Sequence, residues 1–277
     1  MGIDKEIINS SMTFDVTKNI RGIKDFHPHK GELTITGCMV KSSNICTAKI
    51  ASKIGKTNQK DFFKKIGFND KISFAIKEAA KPLGNKNNWG ELETMTIGFG
   101  HGFAITPLHL ANAYVTMVHK GLNAQPKIIK NRINEEKNIF IKNQTSKYII
   151  DLLRAVILET EYTGPRVKIP GYEIGGKTGT TELLDENGKY LKDENLTSFV
   201  AVFPTSKPRY VVLAMVENPK KIKEENYSIT GATVAAPLVK NIISRMIEII
   251  GIPPNNKNEI LKADTSKDYK IASNAVF

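Results

Sequence analysis

The stretch YEIGGKTGTTELL, residues 172–184, interrupts a strand-like pattern with glycines, a lysine and hydroxyl side chains. Glycine is poor in a strand interior and usually marks a place where another backbone comes close. Lys177, Thr178 and Thr180 add one cation and two hydroxyl groups at the same place. The combination predicts a strand edge, opened by Gly175, Gly176 and Gly179, that receives an extended anionic ligand.

The sequence after this stretch continues with a period of two. Residues 172–183, 196–204 and 209–217 alternate as three antiparallel strands, and turn residues separate them at 185–189 and 205–208. Helical patterns come before these strands and one more comes after them. This order predicts an α+β fold in which an antiparallel sheet carries helices on its faces.

Apolar residues at helical spacing predict the helices. The region 36–55 is interpreted as two helices that meet at a Ser-Ser-Asn break, the second ending at Gly55. Further helices are predicted over 59–67, 106–121, 145–160 and 231–250. The glycines within 84–102 predict a long loop. In the last helix we expect an apolar stripe formed by Val234, Leu238, Ile242, Met246 and Ile249.

The composition sets limits on the class of protein. The chain has 277 residues, 40% hydrophobic and 25% charged, which is ordinary for a globular protein. A net charge of +12 requires that nucleic acid be considered as a partner. The lysines are scattered among Asn and Ile, and no nucleic-acid-binding motif accompanies them. We therefore expect no nucleic-acid partner.

The remaining chemistry-bearing residues are few. Cys38 and Cys46 make neither a disulfide framework nor a zinc site, and we expect them to act as small buried apolar side chains. His27 and His29 have no further ligands nearby, so no metal site is predicted. No cofactor is implied.

Two further motifs precede the lysine-bearing strand. Ser42 and Asn44 can point a hydroxyl and an amide into one cleft, although serine and asparagine are also common helix caps. A glycine-rich segment, 98–114, leads into a helix. Four blocks occur in order: ELTITGCMVKSSNICTAKIASKIG, GFGHGFAITPLHLANAYVTMVHKG, TGPRVKIPGYEIGGKTGTT and SFVAVFPTSKPRYVVLAMVENP. From about Phe26 to about Glu248 the chain resembles the transpeptidase domain of class B, cell-division penicillin-binding proteins.

The resemblance implies a chemistry. Such enzymes use S-x-x-K, S-x-N and K-T-G elements; a serine attacks the D-Ala-D-Ala carbonyl of a peptidoglycan stem peptide, and an amine resolves the acyl-enzyme into a cross-link. β-Lactams mimic the dipeptide. By this resemblance Ser42 would help move a proton to the leaving nitrogen, Asn44 would hold a substrate amide, and Lys177 would tie Ser42 to a positive cleft.

The resemblance also implies how the substrate would bind. Thr178 and Thr180 would grip the substrate carboxylate, and the Thr180 N–H would donate to the oxyanion. The peptide would lie along the strand that contains Gly179.

The sequence departs from the family pattern in one respect. No serine is followed by lysine at the third position, so the nucleophile of the family is absent from these residues. We expect residues 1–252 to form a partial transpeptidase domain and 253–277 a polar, mobile tail. Alone, the chain is expected not to cross-link peptidoglycan or form an acyl-enzyme.

Three hypotheses follow for the function. The chain is a truncated or split transpeptidase whose S-x-x-K segment belongs to a separate N-terminal fragment; or a non-catalytic remnant that binds stem peptides or division partners; or a basic nucleic-acid-binding protein. The family acts at the outer face of the cytoplasmic membrane in septal wall synthesis. The sequence shows no signal or anchor, so by itself the chain is expected to remain in the cytoplasm.

Overall fold

The structure is a computed structural model that describes residues 1–72, 79–84, 89–123, 125–128, 138–186, 189–220 and 228–255. The chain divides into two compact units, Met1–Leu152 and Leu153–Phe277. Part of the predicted turn at 185–189 and most of the predicted tail from 253 lie outside the described residues. Across the described ranges, no helix is long and apolar enough to cross a bilayer.

The first unit is mainly helical. Two short strands, β1 (Thr13–Asp15) and β2 (Glu32–Thr34), pair antiparallel. The elements that follow are α1 (Ile35–Lys41), α2 (Asn44–Ile54), α3 (Lys56–Lys65), β3 (Leu83–Gly84), α4 (Glu91–Gly98), β4 (Phe103–Ala104), α5 (Pro107–Val118) and α6 (Asn143–Glu159), within which the division into units falls.

The predicted break between two helices at 42–44 is confirmed, as is the end of α2 before Gly55. The predicted loop over 84–102 is wrong, because α4 lies within it. Gly90 is the N-cap of α4, and its N–H donates to the Glu93 carboxylate at 2.9 Å. The glycines therefore mark the ends of this helix, where backbone freedom is useful, and leave its interior intact.

The two cysteines correct a prediction. Both are buried, as expected of small apolar side chains, but their sulfur atoms are joined in a disulfide. Cys38 belongs to α1 and Cys46 to α2, with Cα atoms 5.7 Å apart, which suits a disulfide. They share one core cluster with Val16 and Ile45. The spacing alone could not reveal the pair, because only the turn between the helices brings the cysteines together.

The second unit is built on a sheet. Its elements are α7 (Thr163–Val167), β5 (Gly175–Leu184), β6 (Tyr190–Phe203), β7 (Tyr210–Glu217), a π-helical turn (Gly231–Ala235) and α8 (Ala236–Ile250). The strand order is β5-β6-β7, and both pairings are antiparallel. The three predicted strands are thus confirmed, with β6 beginning earlier than expected. The C-terminal part of β6, from Phe199 to Phe203, is buried and contributes to the core of this unit.

The closing helix α8 packs against β6 and β7. Its buried residues include Val239 and Ile243, whereas Leu238 is 41% exposed and Ile249 is 84% exposed. The predicted apolar stripe of this helix is therefore wrong by one residue. The π-helical turn before α8 holds more residues per turn than an α-helix, which shifts the faces that follow.

Candidate active site

The Ser-Ser-Asn turn joins α1 to α2 through two caps. Ser42 ends α1 in a left-handed conformation, with φ 51° and ψ 42°. Ser43 is the N-cap of α2, and its Oγ accepts a hydrogen bond from the Cys46 N–H at 3.0 Å. Ser42 is exposed and Ser43 is buried. The turn therefore presents its first serine to solvent and uses the second to begin a helix.

A neighbouring segment, Lys24–Asp25, holds this turn in place. The Ser43 hydroxyl donates to the Asp25 carboxylate at 2.7 Å, and the Ile45 N–H donates to the same carboxylate at 2.9 Å. The Asn44 Nδ2 donates to the Lys24 carbonyl at 3.0 Å, which leaves the Asn44 Oδ1 as the acceptor that this side chain offers to other groups. Sequence analysis missed Asp25, since nothing in its polar surroundings distinguishes it from a solvated aspartate.

The predicted ligand edge is the strand β5. Among the strands that the structure describes, only β6 pairs with β5, so β5 is an edge strand of its sheet. Within the pairing Lys177 lies opposite Val200 and Thr180 lies opposite Thr197. An edge strand retains unpaired backbone groups along its outer side, which an extended peptide can use.

The glycines of β5 lie close to other parts of the same chain. A Cβ at Gly176 would lie 2.5 Å from the carbonyl oxygen of Val200, and one at Gly179 would lie 2.5 Å from the Oγ of Ser198. A Cβ at Gly231 would lie 2.6 Å from the carbonyl oxygen of Gly179. A close backbone approach at Gly179 is therefore made by the π-helical turn of the same chain, and the use of these glycines by a ligand stays a prediction.

Thr180 also contacts that turn. Its Oγ1 accepts a hydrogen bond from the Gly231 N–H at 2.9 Å, although Thr180 itself is exposed. The hydroxyl hydrogen of Thr180 is thereby directed away from Gly231, since that oxygen already accepts there. Gly231 is a second residue that sequence analysis missed.

Lys177 occupies a half-buried position on β5. Its Nζ donates to the Thr178 carbonyl at 3.3 Å and lies 3.4 Å from the Thr178 Oγ1, so the flexible side chain reaches a neighbour on the opposite face. Burial lowers the pKa of Lys177 from 10.5 to about 8. A lysine with such a pKa remains mostly protonated at neutral pH but exchanges protons more readily than a surface lysine.

The predicted site residues thus form two groups. Ser42 and Asn44 lie in the first unit, at the α1–α2 turn. Lys177, Thr178, Gly179 and Thr180 lie in the second unit, on β5. Each group is organised by contacts within its own unit.

Comparison with known proteins decides the family. The family model described as the penicillin binding protein transpeptidase domain matches residues 1–244. The chain belongs to the penicillin-binding protein transpeptidase family. The assignment made from the four sequence blocks is therefore confirmed.

Two curated relatives of this penicillin-binding protein domain are named as peptidoglycan D,D-transpeptidases. A probable FtsI of Caulobacter vibrioides is 30% identical over 265 residues, which covers 91% of this chain and 45% of the relative. FtsI of Buchnera aphidicola is 31% identical over 260 residues, covering 91% of this chain and 43% of the relative. The chain spans less than half the length of these two relatives. The match is to the cell-division type of penicillin-binding protein.

Solved structures agree on the fold. The transpeptidase domain of penicillin-binding protein 3 from Burkholderia pseudomallei is 25% identical, with a TM-score of 0.81 over 92% of this chain and 77% of that chain. A Mycobacterium penicillin-binding protein 3, solved in complex with ampicillin, is 24% identical, with a TM-score of 0.80 over 92% of this chain and 61% of that chain. The predicted α+β fold with an antiparallel sheet is confirmed.

Proposed function

We propose that this chain supplies the S-x-N and K-T-G elements of a peptidoglycan D,D-transpeptidase that acts in septal wall synthesis at the outer face of the cytoplasmic membrane. The observation that supports the proposal most strongly is the K-T-G-T sequence on the edge strand β5, in a chain of this family. The substrate is the acyl-D-Ala-D-Ala end of a stem peptide, or a β-lactam that mimics it.

Each site residue has a role in this proposal. The peptide extends along the outer side of β5, where Thr178, Gly179 and Thr180 contact its terminal carboxylate. The Thr180 oxygen accepts from Gly231, so its hydroxyl hydrogen is available for an anionic acceptor. The half-buried Lys177 ammonium adds positive charge where solvent screening is weak.

The S-x-N turn has roles of its own in this proposal. Asn44 offers its Oδ1 to a substrate N–H, because its Nδ2 is bonded to the Lys24 carbonyl. Ser42, exposed at the turn, moves a proton to the leaving nitrogen of D-Ala during acylation.

The attacking serine lies outside these residues. No serine in the sequence has a lysine three positions later, so the S-x-x-K serine and lysine come from another polypeptide segment. By itself the chain binds the dipeptide without forming an ester to it.

Binding is tested by saturation-transfer NMR observed on the peptide. N-acyl-D-Ala-D-Ala should receive saturation from the protein, and N-acyl-L-Ala-L-Ala, which has the same charge and composition, serves as the matched control. Equal transfer to both peptides, or transfer to neither, would contradict the proposal.

The absence of covalent chemistry is tested with benzylpenicillin. After incubation, the intact mass of the chain should be unchanged, because no serine activated by S-x-x-K is present to open the β-lactam ring. A stable adduct with the mass of the intact penicillin would refute this part of the proposal.

A further inference from the structure

The S-x-N turn lies inside a ring closed by the disulfide. Cys38 precedes the turn on α1 and Cys46 follows it on α2, with a sequence separation of 8. Ser42, Ser43 and Asn44 therefore lie between two covalently joined positions. A cross-link over so few residues restricts the conformations that the intervening backbone can adopt.

Hydrogen bonds from both cysteines converge on the same serine. The Ser43 N–H donates to the Cys38 carbonyl at 3.1 Å, and the Cys46 N–H donates to the Ser43 Oγ at 3.0 Å. The disulfide holds the donors and acceptors of these two bonds at a fixed separation. The position of Ser43 in turn determines the directions of its neighbours, Ser42 and Asn44.

The turn also contains a backbone conformation that benefits from restraint. Ser42 has φ 51°, a left-handed conformation that is unfavourable for residues other than glycine and persists only where surrounding structure enforces it. The ring closed by Cys38 and Cys46 supplies such a constraint directly across Ser42.

We propose that the Cys38–Cys46 disulfide is a redox-sensitive clamp on the S-x-N turn, so that its reduction loosens Ser42 and Asn44. The clamp's effect on activity rests on the proposed function of these two residues. The reductant is a dithiol. One of its thiolates attacks the sulfur of one cysteine, which forms a mixed disulfide and releases the other cysteine as a thiolate. The second thiol of the reductant then attacks its own sulfur in the mixed disulfide and releases the remaining cysteine. Two cysteine thiols and one oxidised dithiol result, a transfer of two electrons and two protons.

Burial of both cysteines slows reduction of the disulfide. Local unfolding of the short helix α1 gives the reductant access to it. Cys38 is 4% exposed and Cys46 is 0% exposed, so a dithiol reaches them only when the turn opens locally. α1 has seven residues, and helices of that length open at low cost. Asp25 still holds Ser43 and Ile45 after reduction, so the effect is confined to the turn and leaves α2 folded.

The experiment compares the oxidised and dithiothreitol-reduced 277-residue chain. Since these are the only two cysteines in the chain, unfolding in N-ethylmaleimide should give no adduct before reduction and two after it. Amide hydrogen exchange at Ser42 and Ser43, whose N–H groups donate to carbonyls of α1, should then become about tenfold faster or more on reduction, while exchange at Ile45 and along β6 stays unchanged. The Cys38→Ser/Cys46→Ser double variant is the control and should exchange like the reduced chain with or without dithiothreitol.

Each outcome decides the proposal. Two maleimide adducts on the unreduced chain, or equal exchange at the turn before and after verified reduction, would overturn the clamp. If the serine variant does not fold, the comparison of oxidised and reduced wild-type chain decides alone.

A final arm separates the clamp from the proposed function. Saturation transfer to N-acyl-D-Ala-D-Ala should weaken on reduction. Equal transfer in both redox states would overturn the link between clamp and site. No transfer in either state would count against the proposed function, and the exchange rates would still decide whether the turn is clamped.

Discussion

At the scale of single residues, burial on β5 changes the pKa of Lys177. Its ammonium group is half-buried on β5, and burial lowers its pKa to about 8. Keeping this charge in the folded state therefore costs free energy at neutral pH. Such a cost is common at functional sites and supports the proposed role of Lys177 toward an anionic substrate.

The substitution Lys177→Met should reveal this cost through its dependence on pH. Because the folded pKa is lowered, the folded chain binds fewer protons than the unfolded chain between about pH 8 and 10.5, so wild-type stability rises with pH in that window. The stability advantage of Lys177→Met over wild type should shrink by about 2–3 kcal/mol between pH 7 and pH 10. Urea unfolding followed by circular dichroism measures both values.

The control for this prediction is Lys168→Met, which removes an exposed lysine from the same unit. Its effect on stability should be nearly the same at both pH values. A Lys177→Met effect that is equally independent of pH would show that the ammonium group is well hydrated in the folded protein.

Thr180 allows a second test at this scale. Thr180→Val keeps the shape and strand preference of the side chain but leaves the buried Gly231 N–H without its acceptor. An unsatisfied buried donor should lower the free energy of unfolding by about 1–3 kcal/mol. Thr181→Val, at an exposed neighbouring hydroxyl, should change it by less than about 0.5 kcal/mol. Equal effects of the two substitutions would contradict the structural role of the Gly231 contact.

At the scale of elements, the regular strands could be predicted from the sequence, whereas features that depend on irregular turns could not. The strands β5, β6 and β7 were predictable because alternation directly reflects which side of a strand is buried. The stripe of α8 was not, since a regular helix was assumed across Gly231–Ala235, where the π-helical turn shifts the register. The disulfide likewise depends on a turn geometry that spacing does not encode.

Gly231 and Asp25 could not be predicted as parts of the candidate site, because each meets its partners only in the folded chain. K-T-G-T was recognisable as a motif, but its glycines suggested an external backbone. The structure shows that the backbone of Gly231, which follows all three strands in the sequence, comes close to Gly179. Asp25 was hidden for the same reason, because its partners Ser43 and Ile45 come near it only in the folded unit.

Gly231→Ala tests this packing between elements. The added Cβ would lie 2.6 Å from the Gly179 carbonyl oxygen and 3.1 Å from the Gly179 nitrogen, so backbone must move to admit it. We expect a loss of about 1–3 kcal/mol in the unfolding free energy, measured by circular dichroism in urea.

The matched control is Gly37→Ala in α1, where the nearest atom to the added Cβ is a Leu33 methyl group at 3.4 Å. Removing a helical glycine without a clash should be neutral or should stabilise by up to about 1 kcal/mol. Trp89 is the only tryptophan in the sequence and lies in the first unit, as Gly37 does. Its fluorescence therefore reports the unfolding of that unit. If Gly231→Ala were as well tolerated as Gly37→Ala, the close contact between the π-helical turn and β5 would be refuted.

At the scale of the whole molecule, the chain carries its two motif groups in two compact units, and each unit organises its own group. Asp25 and the disulfide fix the S-x-N turn in the first unit. The π-helical turn and β6 fix the K-T-G-T strand in the second unit. The chain spans less than half the length of its FtsI relatives, and within it each motif group is held by contacts of its own unit.

The most direct test of this account locates the bound peptide on the protein. In a ¹⁵N-labelled chain, titration with N-acyl-D-Ala-D-Ala should shift the backbone amide signals of Gly176–Thr181 in a saturable manner, and N-acyl-L-Ala-L-Ala should leave them in place. Shifts that are confined to other parts of the chain, or that are identical for the two peptides, would contradict the proposal that the edge of β5 receives the D-Ala-D-Ala end of a stem peptide.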